Sequence, residues 1–343
     1  MSPERFEEVI DMAAYRAAVI GCGRIGSTID DEDDVRPHFF YPMAHAPAYV
    51  EAKGVELVAG VDLLPDQLED FKRRWGVNAL YTDYRQMLAN EKPDIVSVTT
   101  RPAERAEVVI GTAEAGGVKA IYATKPISPS LAEADAMIEA CRKHGVLLVI
   151  ACHQNWSPWF LACLEAIRAG EIGKLTSMLC SYMHGGHTLS LFRLFADAPA
   201  KWVVGHIDSD NRRSGMILYE NDVRGFITTG GWHQFDFIGS DGWLSSRNEH
   251  ADFEMWTRYP DRSISTQTGE PVRRQFPNPK RFVSSQQAAI EALIKDLDEG
   301  TETLCPGEYG REALEIGIAM RESHLRGGEK LELPLADRSL SSG

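Results

Sequence analysis

The sequence predicts an α/β domain with a doubly wound parallel sheet, followed by an α+β domain with an open, mainly antiparallel sheet. In the first 150 residues, short apolar strands alternate with amphipathic helices, a pattern typical of a parallel sheet covered on both faces. Beyond residue 173, strand-like segments follow one another through short turns such as "ENDV" and "GSDG", which favour antiparallel pairing. We therefore predict two domains, 1–150 and 151–343, with the C-terminal segment packing back on the first.

The elements of the first domain follow from apolar runs and helical spacing. The predicted strands are 17–21, 55–62, 94–100, 119–124 and 146–152. A helix over 65–76 places Leu64, Leu68, Phe71 and Trp75 three or four residues apart, on one face. A second helix follows residue 100, and a third covers 128–145, with Ser128 or Ser130 as the cap and Gly145 as the stop.

The second domain begins with a predicted helix over 157–173, and helical patterns return at 284–299 and 308–326. Between them lie seven strand-like segments: 175–183, 201–207, 214–220, 223–230, 234–239, 241–247 and 253–259. This arrangement predicts an open sheet with helices on one face.

The composition is that of an ordinary globular protein, with 43% hydrophobic and 25% charged residues in a chain of 343. A net charge of −14 gives no electrostatic reason to bind nucleic acid or an anionic membrane. The first residues lack the apolar core of a signal peptide, and no apolar run reaches the length of a membrane span. The six cysteines form no CxxC pair and lie mostly in apolar runs. We expect a cytoplasmic protein with reduced thiols.

The segment "GCGRIG" (21–26) directly follows the first strand. In that context Gly21 allows a tight turn, Gly23 allows close approach of a pyrophosphate, and Gly26 allows close helix–strand packing. The phosphates would lie at the N-terminus of the following helix, beside Cys22, Arg24 and Ile25. The segment therefore predicts a dinucleotide-binding Rossmann domain, the alternative being a glycine turn without a ligand.

Asp62 ends the second predicted strand, where an acid of a dinucleotide site holds the adenosine ribose. It lies 36 residues after Gly26, and the excess over the usual spacing of about 20 is explained by residues 28–43, which look inserted. A carboxylate there would repel a 2′-phosphate, and neither Leu63 nor Leu64 offers a basic partner. The predicted cofactor is therefore NAD rather than NADP.

Together with the glycine loop, "TTRP" (99–102) and "ATKPIS" (123–128) make the chain resemble the Gfo/Idh/MocA oxidoreductases, the family of glucose–fructose oxidoreductase and inositol dehydrogenase. The resemblance covers nearly the whole chain. It implies a Rossmann domain, an open-faced C-terminal sheet that forms a homodimer or homotetramer, and an active site between them. The chemistry it implies is NAD(P)-dependent oxidation or reduction of a sugar or cyclitol carbon.

Lys125 follows a parallel strand at the carboxyl edge of the sheet, where ligands of such folds bind. The resemblance assigns it to the lysine of a Glu-Lys-Pro motif that contacts the substrate hydroxyl, with Pro126 holding the turn. Thr124 departs from the glutamate of that motif. Because a carboxylate would favour the charged lysine, we expect Lys125 to lose its proton more easily here. The alternative is a solvated lysine in a strand–helix loop.

The resemblance also implies a D-x-x-x-H motif, of which His187 matches the histidine while Met183 stands in the position of the aspartate. Ser190 replaces a further aspartate common in the family. We predict that His187 is the first proton shuttle and that His184 is a substrate ligand or an alternate shuttle. The alternative is an exposed, idle histidine at a strand end. A metal site that also uses His206 and His233 lacks a clear carboxylate partner, so no metal is predicted.

Other candidates come from the same edges of the sheet. The residues expected at the cofactor, besides the glycine loop and Asp62, are Thr99, Thr100, Arg101, Pro102, Arg105, Thr124, Lys125, Pro126, Gln154 and Asn155. Those expected at the substrate are Lys125, Trp156, His184, His187 and Arg193. The alternatives for Arg101, Arg105 and Arg193 are that they bind an anionic group or that they are solvated or ion-paired. The insertion, with His38, Phe39, Phe40 and Tyr41, is a lid over the cleft or a packing loop against a second subunit.

These features predict an NAD-dependent oxidoreductase that transfers hydride between nicotinamide and a secondary alcohol or ketone carbon of a sugar, sugar derivative or cyclitol. Lys125 and His187 would handle the hydroxyl proton. Two alternatives stay open: a redox-assisted glycosidase or lyase that oxidises its substrate transiently, and a non-catalytic NAD-binding regulator.

Overall fold

The structure is a computed structural model that describes residues 15–32, 40–230, 234–247, 252–258, 271–279 and 281–341. Its strands are β1 (Tyr15–Ile20), β2 (Val55–Val61), β3 (Ala79–Tyr81), β4 (Ile95–Val98), β5 (Ala120–Ala123), β6 (Leu147–Ile150), β7 (Leu175–Cys180), β8 (Ala200–Ile207), β9 (Arg213–Tyr219), β10 (Arg224–Ile227), β11 (Phe235–Gly239), β12 (Gly242–Arg247), β13 (Asp252–Arg258), β14 (Pro271–Arg274) and β15 (Leu331–Glu332). Its α-helices are α1 (His45–Glu51), α2 (Pro65–Trp75), α3 (Tyr84–Glu91), α4 (Pro102–Ala115), α5 (Leu131–His144), α6 (Pro158–Arg168), α7 (Gly186–Ala196), α8 (Ser285–Glu299) and α9 (Gly307–Leu325).

The first sheet has the strand order β3-β2-β1-β4-β5-β6, with every pair parallel. The direction of strand addition reverses between β1 and β4, which opens a crevice at their carboxyl ends. The predicted Rossmann fold is confirmed. The strand β3 and the helix α3 were not predicted from the sequence, so the strand predicted at 94–100 is the fourth along the chain. The three residues of β3 are only half-buried, which leaves little apolar pattern to detect.

Most helix ends in the first domain have the expected chemistry. The side chain of Ser130 accepts a hydrogen bond from the Glu133 N–H, so it caps α5, and Gly145 ends that helix with φ +68°. In α2, Leu68 and Phe71 face the core as predicted. Leu64 does not, because it is the N-cap residue and is 60% exposed.

The second sheet has nine strands in the order β14-β13-β12-β11-β7-β10-β9-β8-β15. Every neighbouring pair is antiparallel except β7 and β10, so the predicted mainly antiparallel sheet is confirmed. Phenylalanine rings fill the contact between α6 and the sheet, with Phe160 packing edge-to-face on Phe235 and Phe237. The segment 186–196, for which no helix or strand was predicted, forms α7.

The chain returns to the first sheet near its end. Val149 in β6 forms a bridge with Pro306, and Ser130 forms another with Ser341. The Ile150 N–H donates to the Cys305 carbonyl oxygen over 2.9 Å. Residues just before α9 therefore lie against the carboxyl end of β6. The division of the chain at residue 150 stays a prediction. Within the described ranges, no helix is both long enough and apolar enough to cross a membrane.

Candidate active site

The glycine loop is shaped by contacts that exclude side chains at two of its glycines. Gly21 has φ +99°, and a Cβ there would lie 2.7 Å from Oγ1 of Thr99. A Cβ on Gly26 would lie 1.9 Å from the Gly21 carbonyl oxygen. Gly23 differs, because a Cβ there would have nothing nearer than Oε1 of Gln67 at 3.9 Å. The open space at Gly23 fits the diphosphate of a dinucleotide.

The helix expected after this loop is short and irregular. Arg24–Thr28 form a single π-helical turn, Ile29–Glu32 form a 3₁₀ turn, and α-helix begins again only at His45. Much of the predicted insertion lies in this break, and residues 33–39 of it, including His38 and Phe39, lie outside the described residues. The loop is followed by one turn rather than by a long helix, so an anion here would depend mainly on the loop's own N–H groups.

Asp62 lies at the end of β2, against the glycine loop. Its Oδ2 accepts a hydrogen bond from the Cys22 N–H over 2.8 Å, and its Oδ1 accepts one from the Leu64 N–H over 3.0 Å. The following side chain, Leu63, is 79% exposed. The carboxylate is therefore held beside the loop by backbone donors, with only apolar side chains next to it in the chain.

The loop after β4 is joined to its neighbours by side chains. The Thr99 hydroxyl donates to the carbonyl oxygens of Gly21 and Ile20. The guanidinium of Arg105 is buried and donates to the carbonyl oxygens of Thr100 and Pro126. Burial lowers the pKa of Arg105 to about 10. Arg105 therefore joins two loops through their carbonyl oxygens, whereas the sequence predicted a cofactor or anion contact, or a solvated or ion-paired side chain.

The exposed arginines of this edge are ion-paired. Arg101 precedes Pro102, the first residue of α4, and pairs with Glu104 over 2.7 Å. Arg24 in the glycine loop pairs with Glu32 over 2.6 Å. The contact with Glu104 favours the alternative in which Arg101 is ion-paired over the prediction that it binds an anionic group.

Lys125 lies just beyond β5, and its peptide bond to Pro126 is cis. The side chain is half-buried, and burial, together with the charges of Arg24 and Arg105, lowers the pKa of Lys125 below its ordinary value, while Cys152 opposes the shift. Thr124 is buried, and its hydroxyl donates to the Val98 carbonyl oxygen over 3.4 Å. The residue in the glutamate position therefore bonds to the neighbouring strand.

His187 is in the first turn of α7 and is only 5% exposed. The alternative of an exposed histidine at a strand end is therefore wrong. Its ring centroid lies 4.6 Å from that of His153 and 5.3 Å from that of the exposed His184. The start of α7 also reaches the first domain, because a Cβ on Gly186 would lie 3.4 Å from Cβ of Lys125. The fold thus brings Lys125, His153, His184 and His187 to one place.

Three residues of this region were not among the sequence candidates: His45, Cys152 and His153. The latter two directly follow the apolar run of β6, and that position at the carboxyl edge was the signal available. His45 is fully buried, its Nδ1 lies 2.8 Å from the Ser97 hydroxyl, and burial lowers its pKa to about 3. No sequence pattern distinguished it.

Several candidates serve the packing of this region. Asn155 is buried, donates to the Leu304 carbonyl oxygen over 3.1 Å and accepts from the Ser190 hydroxyl over 3.1 Å. Trp156 is 1% exposed, so its ring lies in the core and away from the cleft surface. Its neighbour Gln154 is half-buried at the start of the same segment.

Arg193 does not face the histidines. It pairs with Glu312 over 3.0 Å, with both side chains largely buried, and its guanidinium lies 4.3 Å above the Tyr309 ring. The ion-paired alternative therefore describes Arg193 better than a substrate contact. His206 lies on β8 beside His324, and His233 is outside the described residues. In the part of the chain that is described, no group of three or more His, Cys, Asp or Glu side chains could hold a metal ion.

Comparison with known proteins agrees with this geometry. Residues 38–152 match the family model described as "Oxidoreductase family, NAD-binding Rossmann fold" (GFO_IDH_MocA). The match covers about a third of the chain and supports the resemblance to the Gfo/Idh/MocA oxidoreductases. The D-apiose dehydrogenase of Paraburkholderia graminis is 33% identical over 160 residues, 46% of this chain and 38% of that protein. The myo-inositol 2-dehydrogenase of Thermotoga maritima is 30% identical over 159 residues, 46% of this chain and 42% of that protein.

These alignments span about two fifths of the length of the curated relatives. Solved structures extend the likeness in fold to 93% of the chain. The aldose-aldose oxidoreductase of Caulobacter crescentus, complexed with glycerol, superposes with a TM-score of 0.75 at 18% identity and 99% coverage of that chain. The scyllo-inositol dehydrogenase of Lactobacillus casei, with bound NAD(H) and scyllo-inositol, gives 0.70 at 13% identity and 99% coverage. At such identities the likeness supports the fold of both domains. NAD is the cofactor of the Rossmann domain.

Proposed function

We propose that the protein is an NAD-dependent oxidoreductase that transfers hydride between nicotinamide and a secondary alcohol or ketone carbon of a sugar, sugar derivative or cyclitol. The observation that carries the proposal is the approach of α7 to Lys125. A Cβ on Gly186, the residue before His187, would lie 3.4 Å from Cβ of Lys125. A lysine at the carboxyl edge of the sheet and a buried histidine from the second domain are therefore neighbours.

When bound, NAD supplies the hydride acceptor or donor, and the glycine loop with Asp62 would hold it. The chain's own residues then have to orient the hydroxyl and move its proton. Lys125 is suited to this because its lowered pKa leaves a larger neutral fraction near pH 7 than an exposed lysine has. His187 would accept or return the proton, and the exposed His184 beside it would pass it toward solvent. The relatives named as D-apiose and inositol dehydrogenases support this substrate class.

A panel of sugars, cyclitols and glycosides, each incubated with NAD, tests the proposal by NADH absorbance and product mass. We expect stoichiometric NADH and a product two mass units lighter than a free sugar or cyclitol. Cleavage of a glycoside without net NADH would replace the proposal with a redox-assisted glycosidase or lyase. NAD binding without turnover across the panel would favour a non-catalytic regulator.

We also propose that the open face of the nine-stranded sheet forms a homodimer or homotetramer interface. The proposal is supported by its apolar side chains: Trp243 and Trp256 stack with ring centroids 5.7 Å apart, and Ile238, paired with Trp243 in the sheet, is 41% exposed. Both tryptophans are half-buried, and apolar side chains left partly exposed on one face of a sheet mark interaction sites. Light scattering should report a dimer or tetramer for the wild type and a smaller species for Trp243→Glu. A monomeric wild type would refute the assignment.

A further inference from the structure

A cysteine lies beside Lys125. Strands β5 and β6 pair in parallel, with Ala123 opposite Ile150. Lys125 lies two residues after Ala123, and Cys152 lies two residues after Ile150. Both side chains approach the same point of α7, because a Cβ on Gly186 would lie 3.4 Å from Cβ of Lys125 and 3.7 Å from Sγ of Cys152. The Ala151 N–H, next to Cys152, donates to the Ala123 carbonyl oxygen over 2.7 Å and keeps the two strand ends together.

Cys152 has the surroundings of an ionisable thiol although it is 1% exposed. Its Sγ donates to the Gly186 carbonyl oxygen over 3.5 Å. The pKa of Cys152 lies below its ordinary value because the Cys305 and Ser190 side chains hydrogen-bond to the thiolate and Lys125 adds a positive charge, which together outweigh burial. The contrast is Cys163, also fully buried, whose pKa burial alone raises far above the ordinary value.

The other charged groups that face Lys125 are cations. Arg24 and Arg105 both disfavour a charged lysine, and Cys152 is the group that favours it. Among the described residues, no carboxylate forms an ion pair with the Lys125 ammonium. Thr124, in the position of a glutamate, has no charge to offer. Cys152 is therefore the acid among the groups that shift the pKa of Lys125, and the other titratable side chains brought to this place are His153, His184 and His187.

We propose that Cys152 is a positioning residue that shares a proton with Lys125 and links the charge of the lysine to the start of α7. In one state the thiol S–H donates to the Gly186 carbonyl and the lysine is a neutral amine. In the other, the proton has moved from sulfur to nitrogen, giving a thiolate beside an ammonium, and the bond to Gly186 is released. Because His187 follows Gly186 in the chain, a change in the Cys152–Gly186 bond also changes the position of the His187 ring. The inference rests on the proposed function only for the role of Lys125 at the substrate.

The first test needs no substrate. The ultraviolet absorbance of the thiolate is followed against pH for the wild type, Lys125→Met and Cys152→Ala, and the Cys152→Ala curve is subtracted from each of the others. An opposite charge within about 4–6 Å shifts a pKa by about 1 to 3 units, so Lys125→Met should raise the Cys152 midpoint by about 1 to 2 units. An unchanged midpoint would overturn the proposal, whatever the panel of sugars shows.

The second test uses a substrate found in the panel and compares Cys152→Ala with Cys152→Ser and with Cys163→Ala, a buried thiol in α6. Without the thiolate, Lys125 loses the group that holds its proton, so the limb of the kcat/KM–pH profile that reports Lys125 should move to lower pH by about 1 unit in both Cys152 variants. Serine keeps a donor for Gly186, so Cys152→Ser should retain more of kcat than Cys152→Ala. Profiles identical to that of Cys163→Ala would refute the proposal. NADH affinity measured on each variant confirms that it is folded.

Discussion

The N–H of Cys22 donates to Oδ2 of Asp62 over 2.8 Å, which ties the glycine loop to the end of β2. A carboxylate in this position would accept hydrogen bonds from the adenosine ribose of a bound dinucleotide. A hydrogen bond to a charged group contributes about 1.5–3 kcal/mol, so Asp62→Asn should weaken NADH binding about tenfold or more. It should also narrow the preference for NADH over NADPH, because the charge that repels a 2′-phosphate is gone. Fluorescence titration with both cofactors measures this, with Asp66→Asn in the exposed first turn of α2 as the control. Equal effects of the two substitutions would contradict the assignment.

Two glycines of the loop should respond differently to alanine. The Cβ of Gly26→Ala would lie 1.9 Å from a backbone oxygen, so the loop must move, and overpacking of this kind costs about 1–3 kcal/mol of unfolding free energy. Gly23→Ala has free space for its methyl group and should leave stability nearly unchanged. It should nevertheless weaken NADH binding, because the methyl group occupies the space that a diphosphate needs. Urea unfolding and NADH titration on the same two variants separate these effects. If Gly23→Ala bound NADH like the wild type, the diphosphate would lie elsewhere.

His45 should make stability depend on pH. Burial lowers its pKa to about 3 in the folded chain, whereas the unfolded chain has the ordinary value of about 6.5. Between those values the unfolded state binds the extra proton, so the stabilising effect of a neutral His45 is complete above about pH 6.5 and declines as the pH falls. From pH 7 to pH 5 the loss from this group is about 2 kcal/mol. Urea unfolding should therefore show a smaller pH dependence for His45→Asn than for the wild type, with His206→Asn as an exposed-histidine control.

The pair of Arg193 and Glu312 should behave as a structural ion pair. Their side chains are 14% and 17% exposed, and the N–O distance is 3.0 Å. Removing one partner of a buried pair leaves the other charge uncompensated, at a cost of about 3–5 kcal/mol. We expect Arg193→Met and Glu312→Gln each to lower the unfolding free energy substantially. The two substitutions should have equal effects on KM. A rise in KM confined to Arg193→Met, with stability retained, would restore the arginine as a substrate ligand.

Lys125 should matter for turnover and little for cofactor binding. A positioned acid/base contributes about 10²–10⁴-fold to the rate, so Lys125→Met should lower kcat by that range while NADH affinity stays within about threefold. Lys119→Met, at an exposed lysine paired with Asp94 before β5, is the matched control. Stopped-flow measurement of hydride transfer would show whether the chemical step is the one affected. Wild-type turnover in Lys125→Met would remove the lysine from the proposed mechanism.

Much of the fold could be predicted because it depends on local periodicity. Apolar runs and helical spacing identified most strands of both sheets, and the glycine loop stood out by its place after β1. The predictions failed where the local signal was weak. The three-residue strand β3 is too short to show an apolar pattern. The start of α7 lies in "HGGH" (184–187), and paired glycines are typical of a turn. The same holds for the candidate site. Lys125 could be predicted because it follows a strand, whereas His45 and His153 could not because they belong to no sequence motif.

The sequence by itself determined most of the strands and helices, the glycine loop, and the position of Lys125 at the carboxyl edge of the first sheet. Each of these follows from residues close together in the chain. Only the tertiary structure decided that His187 is buried, that Arg105 clamps two loops, that Arg193 pairs with Glu312 and that Cys152 lies beside Lys125. The physical reason is that burial and charge pairing depend on which distant segments pack together, and the same lysine, histidine or cysteine has different chemistry in each packing.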